Sequence, residues 1–167
     1  MTGRALPAID QQEFRRALGA FATGITIVTT RSGGEIHGMT ANAFTSVSLD
    51  PPLILVSVDR KTRLLGELER AGQFAVSVLA EEQEEWSRHF ARQAQPRGAE
   101  FTPEWVPGDG PPLVPGALAH LRCRVDRFLD GGDHVLVLGR VEELGDASDG
   151  RGALLYYRGQ YRRLPES

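Results

Sequence analysis

Residues 37–59 read HGMTANAFTSVSLDPPLILVSVD, and the rest of the chain is arranged around them. From Met39 to Ser48 the side chains are mostly small or hydroxyl-bearing: Thr40, Ala41, Asn42, Ala43, Thr45, Ser46 and Ser48. From Leu53 to Val58 they form a short apolar run, the pattern of a buried strand. Pro51-Pro52 lies between the two halves, where it breaks any ladder and forces a corner. Small side chains let a ligand approach the backbone, and the hydroxyls and the amide offer hydrogen bonds. That combination suits a flat ligand with polar edges. It also suits an ordinary Ser/Thr-rich strand and loop at a sheet edge.

Towards the N-terminus, Ile25 to Thr30 is β-branched throughout and reads as a strand. Ser32-Gly33-Gly34 supplies a turn, and Glu35 to Thr40 returns as the partner of a hairpin. Further out, Asp10 followed by Glu13 fits a capping box. Phe14, Ala17, Leu18 and Phe21 then recur at helical spacing and make one apolar face, with Gly24 closing the element. Residues 1–9 read as a loose arm.

Towards the C-terminus, Leu53 to Asp59 is followed by Arg60-Lys61-Thr62-Arg63 and a helix carrying Leu64, Leu65 and Leu68, stopped near Gly72. Thr62 can cap this helix by accepting from an orphan backbone N–H. Cations, free N–H groups and a hydroxyl at a helix N-terminus form an anion site, or else a solvated turn. Gln73 to Leu79 is a strand. Glu81 to Gln93 reads as a helix with acids first and arginines late, and Trp86 and Phe90 turn inward. Residues 94–116 form a long Pro/Gly-rich loop. Its Phe101, Trp105 and Val106 either cover an apolar site or staple the loop to the core, and the staple is favoured. Ala119 to Asp126 alternates, with Cys123 on the apolar face as a small hydrophobe. A turn at Asp130-Gly131-Gly132-Asp133, a strand from His134 to Val141, a Gly/Asp loop at 145–152 and a last strand from Ala153 to Tyr157 complete the chain.

Six or seven strands joined by hairpins, with three peripheral helices, imply a mainly β fold built as an antiparallel barrel. The 167 residues suit one domain over 10–167, with 41% apolar and 25% charged residues. A net charge of −3 gives no field for nucleic acid. The four histidines and single cysteine make no metal-ligand spacing, and one cysteine fits a reducing compartment. No apolar run is long enough to span a membrane, so a cytoplasmic protein is expected. Of 19 cationic residues only Lys61 is lysine, by chance or because a compact ammonium serves better there. There is no Rossmann glycine fingerprint, so any nicotinamide binds without one.

GMTANAFTSVSLDPPL resembles the flavin-binding segment of the flavin reductase family, the small reductases that supply reduced flavin to two-component monooxygenases. ATGITIVTT with HGMTANAF, and the tail LLYYRGQYRRL, extend the likeness from about Phe14 to Leu164. The resemblance implies the FMN-binding split barrel, with FMN or FAD and NADH or NADPH as cofactors. It assigns flavin ring and ribityl contacts to Met39, Thr40, Ala41, Asn42, Ser46, Val47 and Ser48. The phosphate falls to Lys61 and Thr62, with Arg60 in support. Gly132-Asp133-His134 matches a family Gly-Asp-His, where the histidine is implicated in nicotinamide contact; a lone histidine at a strand start is otherwise structural. Arg15 and Tyr161 are further candidates for the nicotinamide pocket, and equally a surface charge and a core aromatic. A partner monooxygenase and a homodimer with flavin near the subunit boundary are also implied. Hydride transfer to flavin needs no dedicated acid or base, so no catalytic residue is expected. The competing readings are a flavin-binding electron carrier on the same barrel and an interaction barrel that has lost its ligand.

Overall fold

The structure, a computed structural model, describes residues 8–92, 103–147 and 149–165. The expected arm therefore lies, except for its last two residues, outside the described residues, as do Phe101 and the first part of the long loop. In chain order the elements are α1 (Gln11–Leu18), β1 (Thr23–Gly24), β2 (Thr26–Ser32), β3 (Glu35–Ala41), β4 (Phe44–Leu49) and β5 (Pro52–Asp59). They continue with α2 (Arg63–Ala71), β6 (Gln73–Val78), α3 (Glu84–Phe90), β7 (Ala119–Gly131), β8 (His134–Asp146), β9 (Leu155–Tyr157) and β10 (Gln160–Arg162).

All strand pairs are antiparallel. A seven-stranded sheet runs β3-β2-β6-β7-β8-β5-β4, and a small sheet runs β1-β9-β10. The two outer strands of the large sheet, β3 and β4, are consecutive in the chain, joined by Asn42 and Ala43. This is the antiparallel split barrel, and its edges meet at the stretch that opened the sequence reading.

The barrel interior is filled by Val28, Ile54, Val56, Val58, Phe74, Val76, Val135 and Val137, and α2 closes one end with Leu64 and Leu68. A second cluster packs Ile25, Ile27, Leu79, Phe90, Val114 and Leu154 with Trp86, Trp105, Tyr156 and Tyr161. Thr26, Thr29 and Thr30 are buried along β2. Their hydroxyls donate to the carbonyls of Ala41 (2.7 Å), Pro112 (2.5 Å) and Gln73 (2.7 Å), so these three buried hydroxyls are satisfied. The β2–β3 turn needs two residues with positive φ, and Gly33 and Gly34 provide them at 59° and 82°.

Several boundaries differ from the sequence reading. Asp10 caps α1 as expected, its carboxylate accepting from the N–H groups of Gln12 (3.0 Å) and Glu13 (2.9 Å). The helix, however, ends at Gly19, because Gly24 is already paired in β1 with Leu155. β4 is a strand in its own right. Pro51 sits in a tight turn, but Pro52 opens β5 opposite Leu49, a strand position where a missing donor costs no ladder bond. β7 and β8 each run to 13 residues, since pairing continues through charged positions that look like loop. α3 spans only Glu84–Phe90, and β10 was not foreseen. Trp105 does staple its loop, meeting Trp86 at 5.3 Å and Phe90 at 5.6 Å between ring centroids. Among the described residues no helix is long and apolar enough to cross a membrane.

Candidate cofactor site

β3 is an edge strand, so along one side its backbone N–H and C=O groups have no strand partner. α2 begins close by. Thr62 holds the N-cap position with φ −76° and ψ 140°. Its hydroxyl does not accept from the helix as expected; it donates to the Asp59 carbonyl at 2.8 Å. Asp59 organises the whole turn: its carboxylate accepts from Lys61 N–H (2.8 Å) and its carbonyl also accepts from Thr62 N–H (3.0 Å). The first turn of α2 thus keeps N–H groups that no helical carbonyl can reach, beside the exposed Lys61.

A cavity of about 600 Å³ lies between β3, the start of α2 and the end of α3. Met39, Thr40, Lys61 and Thr62 line it, so four of the expected residues come together in one space. Arg63 of the same cationic turn also lines it, as do His37, Gly38, Phe90 and Arg92, which sequence reasoning did not place in a site. Thr40 is held by α3, its hydroxyl donating to the Ser87 carbonyl at 2.6 Å. Phe90 is 5% exposed and meets Trp86 at 6.1 Å, Trp105 at 5.6 Å and His89 at 4.8 Å. A Cβ on Gly38 would stand 3.0 Å from two carbons of the Phe90 ring. The Trp86–Phe90 spacing predicted inward packing, but nothing local tells that the ring reaches Gly38. His37 Nε2 is 3.9 Å from a carboxylate oxygen of both Glu35 and Glu67. Glu67 is buried, and a hydrogen bond from Arg70 is the main cause holding its carboxyl below the usual range.

The remaining expected residues lie around this cavity or away from it. Ala41 is buried in the core, while Asn42, Ser46 and Val47 are exposed and Ser48 is half-buried on or beside β4. The register shifts between Ser46 and Ser48, a bulge at Val47 of the kind that marks sheet edges and sites. The hydroxyl-rich run from Asn42 to Ser46 is therefore open, not packed under neighbouring side chains. Arg60 turns to the β7–β8 hairpin: its N–H donates to the Asp133 carbonyl (3.1 Å), its Nε to the Gly132 carbonyl (2.7 Å), and it pairs with Asp130. That clamp, and the pairing of Asp59 with His134, set His134 beside the cationic turn. His134 Nδ1 lies 2.7 Å from the Asp133 carboxylate, which this bond holds below its usual range. With Nδ1–H donating, Nε2 is the nitrogen presented outward. Tyr161 belongs to the second core cluster: its hydroxyl meets Ser87 Oγ at 2.9 Å and Arg88 covers its ring at 4.6 Å. Arg15 is exposed on α1, and neither it nor Tyr161 lines the cavity. Cys123 is buried and its thiol is pushed up to about 12, so it stays an unreactive hydrophobe.

Gly38 lets the Phe90 ring pack directly onto β3, an open strand edge offers main-chain donors and acceptors, and Lys61 stands beside the free N–H groups that open α2. These features make a barrel with a cleft suited to a phosphate-bearing ligand with a flat ring. The family described as flavin reductase like domain matches residues 18–165. An NADH-dependent flavin reductase of a Rhodococcus species is 44% identical over 168 residues, covering 97% of this chain and 91% of that one. The reductase component of 4-hydroxyphenylacetate 3-monooxygenase from Thermus thermophilus is 44% identical over 158 residues, covering 92% and 97%. Among solved structures, the NADH:FAD oxidoreductase of Streptomyces globisporus C-1027 in complex with NAD and FAD fragments superimposes with a TM-score of 0.85 at 42% identity, covering 93% of each chain. The chain belongs to the flavin reductase like family.

Proposed function

We infer that this protein is an NADH-dependent flavin reductase that passes reduced FAD or FMN to a partner monooxygenase. The observation that carries the reading is the joining of Met39, Thr40, Lys61 and Thr62 in one cavity, next to an open, hydroxyl-lined edge. Lys61 and the N–H groups of α2 hold the flavin phosphate. Main-chain groups of Met39 to Asn42, with the hydroxyls of Ser46 and Ser48 and the bulge at Val47, hold the ring and ribityl chain. His134, fixed by Asp133, contacts the nicotinamide. Bound flavin supplies the hydride acceptor; the protein's part is alignment of the two rings and exclusion of competing geometries. The relatives' names, and the NAD and FAD fragments in the Streptomyces structure, support NADH as the donor.

Residues 10–167 act as one domain, and two copies associate. Phe14, Leu18 and Phe21 support the dimer: they are 53%, 57% and 77% exposed, an apolar face that the single chain leaves uncovered. The single buried cysteine supports a cytoplasmic location.

Purified protein, NADH and added FAD or FMN, followed by nicotinamide absorbance, tests the function. Flavin-dependent oxidation is expected. A yellow protein that oxidises no NADH would make it an electron carrier, and a colourless inert one would remove the flavin reading altogether.

A further inference from the structure

β7 and β8 meet at the turn Asp130-Gly131-Gly132-Asp133, and His134 is the first residue of β8. The sheet gives this tip little support. β6 pairs with β7 no further along than Gln73 opposite Arg124, and β5 stops at Asp59, opposite His134. From Arg127 to Asp133 every residue is exposed. A two-stranded ribbon is marginal by itself, and two glycines at its end add backbone freedom. Yet the residue at that end is the one assigned to the nicotinamide.

Arg60 supplies the support that the sheet does not. It directly follows β5, and its backbone N–H donates to the Asp133 carbonyl at 3.1 Å. Its Nε donates to the Gly132 carbonyl at 2.7 Å, and a terminal guanidinium nitrogen pairs with the Asp130 carboxylate. The planar fork therefore spans the turn, with main chain on one arm and a side chain on the other. With its guanidinium engaged there, Arg60 does not line the cavity, although its neighbours Lys61 and Thr62 do.

We propose that Arg60, with Asp130, is a positioning residue for hydride transfer: it locks the Gly132-Asp133-His134 turn so that the His134 imidazole stands ready for the nicotinamide. The inference rests on the nicotinamide reading of His134 above, and it takes Arg60 away from the flavin phosphate.

On the full-length protein, FMN affinity is titrated by flavin fluorescence, and the NADH KM and kcat are measured with FMN as acceptor. Arg60→Ala should raise the NADH KM about threefold to tenfold, the range for an exposed, charge-assisted contact. The kcat at saturating NADH and the FMN affinity should each stay within about twofold, and the latter doubles as the control for folding. Asp130→Ala removes the other half of the pair, a side chain 83% exposed, and should act in the same direction to a smaller extent. Arg60→Lys keeps the charge but cannot span the turn, and should recover little. In a His134→Ala background, Arg60→Ala should add less than about twofold, because both changes remove the same contact. Weakened FMN binding with an unmoved NADH KM would return Arg60 to the phosphate and overturn the proposal. So would an Arg60→Ala effect that multiplies in full with that of His134→Ala, or an NADH KM that neither Arg60→Ala nor Asp130→Ala moves. A His134→Ala variant with an unchanged NADH KM would strike the nicotinamide reading of the histidine itself, and this inference would fall with it.

Discussion

Lys61 is the only lysine in the chain and lies on the cationic turn that lines the cavity. Lys61→Gln should weaken flavin binding about tenfold by titration, with the melting temperature unchanged because the side chain is exposed. His134→Ala should raise the NADH KM while leaving flavin affinity nearly intact; equal damage to both would remove the histidine from the nicotinamide contact. Glu67 gives a pH signature. Its folded-state carboxyl titrates below the ordinary value of 4.5, chiefly through Arg70, so the unfolded chain takes up the proton first as pH falls. The stabilisation is complete above that ordinary value and is lost as pH drops through the depressed one. Glu67→Gln should therefore flatten the acid limb of a melting-temperature profile scanned from about pH 6 to about pH 3. Lys61 was legible because a cation next to a helix start is a local pattern. Glu67 was not, because a carboxylate on a helix face reads as solvated until α2 is seen against His37.

Among the elements, β8 shows how tightly the barrel is packed. Gly139 lies opposite Phe74, where a Cβ would stand 2.4 Å from the ring and 3.1 Å from the Cβ of Cys123. Gly139→Ala should destabilise the fold by about 1–3 kcal/mol, seen as a lower urea midpoint, and Phe74→Leu in the same chain should recover part of the loss. The hydrophobic alternation of β5, β7 and β8 was readable, as were the turns at Gly33-Gly34 and Gly132. The lengths of β7 and β8 were not: the far end of β8 holds Glu142 and Glu143, which read as loop until cross-strand pairing sets them beside Arg124 and Arg122, and β7 runs on past Asp126 only because Arg127 to Gly131 pair with Leu138 to His134. Thr62 is a parallel case: its N-cap position was legible, yet Asp59 competes for its hydroxyl.

At the scale of the whole molecule, α1 buries none of its residues within the chain. An exposed apolar face of this kind marks an interaction surface. Sedimentation of the wild type should give a dimer, and Phe14→Glu with Leu18→Glu should give a monomer that keeps its circular dichroism. A wild type that sediments as a monomer would dismiss this interface. The helical period of Phe14, Leu18 and Phe21 was clear in the sequence, but periodicity says only that a face is apolar. It does not say whether the same chain covers it.

The sequence by itself determined most of the strand pattern, the hairpin turns, the cap at Asp10, the hydroxyl-rich run from Thr40 to Ser48 and the cationic turn at Lys61. Each of these is written in neighbouring residues, through side-chain period, backbone freedom and local hydrogen bonding. Only the tertiary structure decided that β3 and β4 are the two edges of one sheet, that Phe90 walls a cavity against Gly38, and that Arg60 and Tyr161 face other partners. Those outcomes depend on how distant segments fill the same volume, and packing of that kind leaves no local pattern in a single chain.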